Sequence, residues 1–203
     1  MQPDELVRGL SRHIRDQRVL AAIAEVPRPL FVPPDLRSRA WDNEPLPIGA
    51  GQTISQPLVV GRMIELLRLR GDEHVLDVGT GSGWHAALLA RLAGDVVSIE
   101  RHAELSEQAA RNLEAAGVED VTLVVGDGSA GYEPGAPYDA INVAATSKTG
   151  VPAALEAQLA PGGRLVIPTQ RGEQRLVLVR KLPDGTLDRR ALEPVRFVPL
   201  VTD

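Results

Sequence analysis

The sequence predicts an α/β fold, a doubly wound and mostly parallel sheet with an antiparallel C-terminal edge and an N-terminal helical extension. Three observations carry that expectation. Apolar, Val- and Ile-rich runs recur at 74–79, 96–100, 121–126, 139–144 and 164–169, with helical stretches at 83–93, 102–116 and 152–159 between them. Strands followed by crossover helices lie parallel and take helices on both faces. The first run, Val75-Leu-Asp-Val-Gly-Thr-Gly-Ser-Gly83, passes directly into a glycine-rich turn and a helix, a layout that lets backbone N–H groups approach a nucleotide-like ligand. The tail breaks the alternation: Arg175–Arg180 and Leu192–Val201 are strand-like, and Pro183-Asp-Gly185 between them leaves room only for a turn.

The remaining elements follow from local chemistry. Residues 4–26 read as two short helices; Val19, Leu20, Ile23 and Val26 recur at helical spacing after a cap at Asp16, and Pro27 and Pro29 end the second. From Pro27 to Ser55 the prolines and glycines predict a mostly irregular segment, long enough to be functional, with Phe31, Val32, Leu36, Trp41, Leu46 and Ile48 as anchors. Pro57 suits the first turn of a helix running through Leu69 and closed by Gly71, with Ser55 or Gln56 just ahead of it.

The 203 residues fit one domain: 1–56 as N-terminal helices and a site loop, 57–170 as the ligand-binding core, 171–203 as C-terminal strands. A formal charge of -5 lacks the basic footprint that nucleic-acid binding requires. With no cysteine, thiolate catalysis and thiolate metal sites are excluded. The histidines (His13, His74, His85, His102) show no paired spacing, so no metal is expected. Neither a signal-peptide pattern nor a membrane-length apolar run is present, and a cytoplasmic monomer is the expectation, without membrane or nucleic-acid partner.

In a doubly wound sheet, ligands bind beyond the strands' carboxyl ends where the order reverses, and Gly79, Gly81 and Gly83 mark that place. The dinucleotide fingerprint fails at Trp84, which stands where a third glycine or alanine is needed. Glu100 ends the second strand run about twenty residues after Gly79, where a carboxylate can accept from both ribose hydroxyls. Asp127-Gly128 follows the third run, so an acid there can accept from an adenine amino group while Gly128 admits the ring. Taken singly, these are also a tight turn, a solvated strand end and an ordinary turn.

Together the features resemble the S-adenosylmethionine-binding fold of class I methyltransferases, and within that class the chain resembles the protein-L-isoaspartate O-methyltransferases. The matching segments include Val26-Pro-Arg28, Phe31-Val-Pro33, Pro45-Leu-Pro-Ile-Gly49, Gly51-Gln-Thr-Ile-Ser-Gln-Pro57, Gly79-Thr-Gly-Ser-Gly83, Gly126-Asp-Gly128, Pro137-Tyr-Asp-Ala-Ile141, Pro161-Gly-Gly-Arg-Leu165 and Arg196-Phe-Val-Pro-Leu200. The resemblance implies S-adenosylmethionine as cofactor, Ser55 as the active-site serine, and Gln52, Thr53 and Ile54 lining the cofactor's reacting end. It further implies contacts from Gly79, Gly81, Ser82, Glu100, Asp127 and Gly128, and isoaspartyl proteins or peptides as substrates. A related enzyme modifying an aspartate in one dedicated peptide is the alternative.

A carboxylate with an ordinary pKa near 4 is already ionised at neutral pH, so esterifying it needs orientation and partial desolvation but no general base. A neutral serine hydroxyl suits that task. Ser55 can equally cap the helix beginning at Pro57. The chain departs from the family pattern at Ala50, at Trp84-His85, along Ala144–Gly150, and at Thr169-Gln-Arg171. By resemblance Val198-Pro-Leu200 lies beside the peptide site; a buried edge strand is the other reading.

Overall fold

The structure, a computed structural model, describes residues 2–201; Met1, Thr202 and Asp203, the outer ends of the expected 1–203 domain, lie outside the described residues. Helices α1 (Pro3–Leu10) and α2 (Gln17–Glu25) open the chain, the second capped by Asp16, whose side chain accepts from the Arg18 N–H. Helix α3 (Pro57–Leu67) follows the loop segment, then β3 (His74–Val78), α4 (Trp84–Ala90), β4 (Asp95–Glu100), α5 (Ala103–Ala115), β5 (Val121–Val125), β6 (Tyr138–Val143), α6 (Ala153–Gln158), β7 (Leu159–Arg171), β8 (Glu173–Lys181) and β9 (Leu187–Pro194). The strands form one seven-stranded sheet of order β5-β4-β3-β6-β7-β8-β9, parallel from β5 to β7 and antiparallel at β8 and β9. The strand order reverses beside β3, which has β4 on one side and β6 on the other. Among the described residues no helix is long and apolar enough to cross a membrane.

Side-chain alternation divides the core. On one face Val75, Val96, Ala140 and Val166 pack with α1 to α4 and the loop anchor Phe31; on the other Leu76, Val78, Ile99, Ile141 and Leu165 pack with Leu155 of α6. Asp77, Ser98 and Asn142 fall in register on the three central strands, on the same face as Val75. Three polar residues thus sit side by side in a buried sheet.

The expectation for 27–55 needs correction. Arg28–Phe31 and Pro34–Arg39 form 3-10 turns, and β1 (Leu46–Gly49) pairs with β2 (Gln52–Ile54) as an antiparallel hairpin. The tip turns through Gly49, Ala50 and Gly51 at φ 103, 49 and 68, a conformation that glycine takes freely and alanine does not. A two-stranded ribbon tolerates Pro47 because it needs few ladder bonds.

The tail also differs. The turn at Pro183–Gly185 is tight, with the Thr186 N–H donating to Asp184 Oδ1, so the last strand starts at Leu187 and ends at Pro194 instead of occupying 192–201. Residues 195–200 leave the sheet. The Thr146 N–H donates to the Val198 carbonyl and the Leu200 N–H to that of Thr146, both at 2.8 Å, so this stretch is neither buried nor an edge strand.

Candidate active site

A cleft opens at the carboxyl ends of β3, β4 and β6. Its floor is the glycine turn. The Gly79 N–H donates to the Ile99 carbonyl at 2.9 Å, and the Gly83 N–H to that of Thr80 at 2.9 Å. Gly83 caps α4 at φ 91, and a Cβ there would lie 3.3 Å from Ala109 Cβ on α5. Positive φ and close helix packing therefore both call for glycine. Glu100, almost fully buried at the end of β4, accepts from the Gly81 N–H at 2.9 Å with one oxygen and from the His102 N–H at 3.0 Å with the other.

A polar network lies beneath the turn. Thr80 and Ser98 share a 2.6 Å hydroxyl contact, Ser98 donates to Asp77 Oδ2 at 2.8 Å, and Asn142 Nδ2 donates to Asp77 Oδ1 at 2.7 Å. Burial pushes the Asp77 carboxyl up to about 6, against the pull of these donors, with Glu100 repelling from nearby. The other proton of Asn142 Nδ2 faces His85 Nδ1 at 3.3 Å, which places the imidazole proton on Nε2. Burial drives His85 down to about 3, so the ring is neutral at physiological pH. Among the described residues His85 Nε2 and Trp84 Nε1 have no hydrogen-bond partner, and both residues line the cleft wall.

The β1–β2 hairpin forms the opposite side. Gln52, Thr53 and Ile54 reach the cleft from β2, and Ser55 follows at its mouth, half-buried. The hydroxyl does not cap α3. Gln56 occupies the N-cap position without a side-chain bond, while Asn43 Oδ1 accepts from the Leu58 N–H at 3.0 Å. Arg28, fully buried, donates to the carbonyls of Ala40, Asp42, Glu44 and Ser55 and carries its guanidinium 4.9 Å from the Trp84 ring centre. Val198–Val201, clamped to Thr146, close the remaining rim.

The cleft therefore gathers Ser55, Gln52, Thr53, Ile54, Gly79, Gly81, Ser82, Glu100 and Gly128. Asp127 stands one residue outside the lining, where Oδ1 accepts from the Ser129 N–H at 2.8 Å and starts a 3-10 turn. Gly128 has a second reason to be glycine, since a Cβ would come 2.4 Å from Val78 Cγ1 beneath it. Trp84 and His85 are buried walls of the cleft. Sequence reasoning did not find Thr80, Asn142 or the supporting roles of Arg28 and Asn43. Asn142 was signalled only by a polar residue inside an apolar strand; an arginine between prolines and an asparagine in a loop gave no comparable mark.

Comparison with known proteins gives the family and the fold. The family model described as Protein-L-isoaspartate(D-aspartate) O-methyltransferase (PCMT) matches residues 1–203. A Rhodopseudomonas palustris protein named Protein-L-isoaspartate O-methyltransferase 1 is 50% identical over 195 residues, covering 95% of this chain and 79% of its own. An Anaeromyxobacter protein of the same name is 55% identical over 190 residues, covering 92% and 89%. A solved protein-L-isoaspartate O-methyltransferase superposes with a TM-score of 0.88 at 29% identity, over 99% of this chain and 66% of that one. A Plasmodium falciparum structure described as a complex with S-adenosyl-L-homocysteine gives 0.85 at 24% identity over both full chains, a likeness of fold. The chain belongs to the protein-L-isoaspartate O-methyltransferase family.

Proposed function

We propose that Ser55 presents an isoaspartyl α-carboxylate to the methyl donor held across the cleft, and that this site serves damaged proteins at large. The chain is an S-adenosylmethionine-dependent protein-L-isoaspartate O-methyltransferase, which starts repair by esterifying the displaced carboxylate. The observation that carries the assignment of Ser55 is its place: at the mouth of the cleft containing the glycine turn and Glu100, with helix capping done by Asn43.

The residues present fit the cofactor. Each Glu100 oxygen holds one backbone N–H and keeps lone pairs for ribose hydroxyls, while the buried donors on Trp84 and His85 in the cleft wall lack partners among the described residues. In this reading Glu100 holds the ribose, Asp127 and Gly128 the adenine, and Gly79, Gly81 and Ser82 the methionine end, with Gln52, Thr53 and Ile54 covering the reacting centre. S-adenosylmethionine, when bound, supplies an electrophilic methyl group on a sulfonium.

The chain's own work is orientation. The substrate carboxylate arrives ionised, so no residue has to remove a proton. The Ser55 hydroxyl donates to one carboxylate oxygen and aims the other, without the strong hold on charge that a cation would exert. The hairpin and the Val198–Val201 segment exclude water from the reacting oxygen, which strengthens its nucleophilicity. The methyl ester and S-adenosylhomocysteine are the products. Recognition through peptide backbone and the shifted carboxylate fits many sequences, and the acidic balance of -5 favours protein over nucleic-acid substrates. A cytoplasmic monomer completes the proposal.

Methyl incorporation into an isoaspartyl peptide, its aspartyl counterpart and several unrelated isoaspartyl sequences tests this. Labelling of the isoaspartyl peptides alone supports the reading. Equal labelling of the aspartyl form defeats it, and activity confined to one sequence indicates a dedicated substrate.

A further inference from the structure

We infer that Arg28 is a positioning residue for methyl transfer, fixing the backbone of Ser55 against the wall of the cofactor cleft. The inference rests on the role given to Ser55 above. Three features point to it, beginning with what the guanidinium touches. Its two terminal nitrogens donate to the carbonyls of Ala40, Asp42, Glu44 and Ser55, which span the whole approach to the serine. Carbonyls in an irregular segment need donors once buried, and a planar fork reaches several directions from one point.

The second feature is the ring beneath. Trp84 is buried, lines the cleft, and presents its face 4.9 Å from the Arg28 guanidinium carbon. One cation thereby joins the serine's carbonyl to the cleft wall. The last feature is the form of the burial. Arg28 has no exposed surface and, among the described residues, no carboxylate at ion-pair distance; Asp42 and Glu44 act on it only from farther off. Burial lowers its pKa to about 10, which still leaves it charged at neutral pH. A buried cation held by carbonyls and a ring face is costly unless each contact is kept. Displacing the Ser55 carbonyl therefore gives up a contact at the guanidinium, and the serine backbone has one preferred place.

The test is a double-mutant cycle between Arg28→Met and Ser55→Ala, reading kcat with a saturating isoaspartyl peptide, S-adenosylhomocysteine affinity by calorimetry, and folding by circular dichroism. Arg28→Lys is run in parallel and serves alone if the methionine variant does not fold. The expected result is a loss of kcat of at least tenfold for Arg28→Met in the native background and less than threefold in the Ser55→Ala background, with cofactor affinity within about threefold. Multiplicative losses in the two backgrounds overturn the inference, as do unchanged kcat or failure of both Arg28 variants to fold. If Ser55→Ala alone leaves kcat unchanged, it is the reading of Ser55 that fails.

Discussion

Glu100 Oε2 accepts from the Gly81 N–H at 2.9 Å, so the carboxylate at the end of β4 also holds the middle of the glycine turn after β3. The same oxygen pair receives the His102 N–H at 3.0 Å, which keeps the carboxylate facing the cleft. The acid proposed for the ribose is thus part of the floor's own scaffold. Binding and turn geometry change together when it is altered.

Replacing Glu100 with alanine removes charge-assisted hydrogen bonds worth roughly 1.5 to 3 kcal/mol. We expect S-adenosylhomocysteine affinity, measured by calorimetry, to fall about ten- to hundredfold. Native affinity in a folded variant would remove Glu100 from the cofactor site.

The catalytic role proposed for Ser55 and the capping by Asn43 can be tested separately. Ser55→Ala is expected to lower kcat at least tenfold while leaving the melting temperature within about 1 °C, because Gln56 holds the N-cap position and Asn43 supplies the cap bond. Asn43→Ala loses the bond to the Leu58 N–H and should cost about 1 kcal/mol, or roughly 2–4 °C by calorimetric scanning. A reversal of the two thermal effects would return the cap to Ser55.

Asp77 gives a pH signature of opposite sign to that of a paired surface acid. Its folded-state pKa of about 6 lies above the ordinary value of 3.8, so its contribution to stability is full below about pH 4 and lost as pH rises through 6. Asp77→Asn keeps the shape and stays neutral, with its amide oxygen accepting from Asn142 and its NH2 donating to the Ser98 hydroxyl. The variant's stability relative to the native chain should therefore rise between pH 4 and pH 7, by up to about 3 kcal/mol in urea titrations. A difference that is flat with pH would show that Asp77 ionises normally.

Gly128→Ala would drive a Cβ to 2.4 Å from Val78 Cγ1 and 3.2 Å from Ile99 Cγ2. Overpacking of this kind costs about 1–3 kcal/mol. We expect a lower urea midpoint together with weaker cofactor binding, since the added methyl presses on the Val78 and Ile99 side chains beneath the cleft. A native midpoint would mean that the floor yields freely.

Legibility was uneven for physical reasons. The five parallel strands and the crossover helices were readable because a buried sheet needs continuous apolar runs and its connections need helical periodicity. Glu100, Gly81 and Gly128 were readable because strand ends and glycine turns mark themselves locally. The hairpin at 46–54 was not, since its prolines and glycines are those of a loop, and its pairing depends on packing over the cleft. Neither were Arg28, Asn43, nor the meeting of Val198 with Thr146, whose partners lie far along the chain or in segments without periodicity.

By itself, then, the sequence determined the doubly wound fold, the family resemblance and the glycine turn, Glu100 and the Gln52–Ser55 stretch that meet at the cleft, because these depend on periodicity and on motifs contiguous in the chain. Only the tertiary structure decided that Asn43 and not Ser55 caps α3, that the tail leaves the sheet after Pro194 to close the cleft, and that one buried arginine ties the serine to Trp84. Those outcomes depend on which distant carbonyls and side chains meet once the apolar faces are buried, and local sequence carries no record of that meeting.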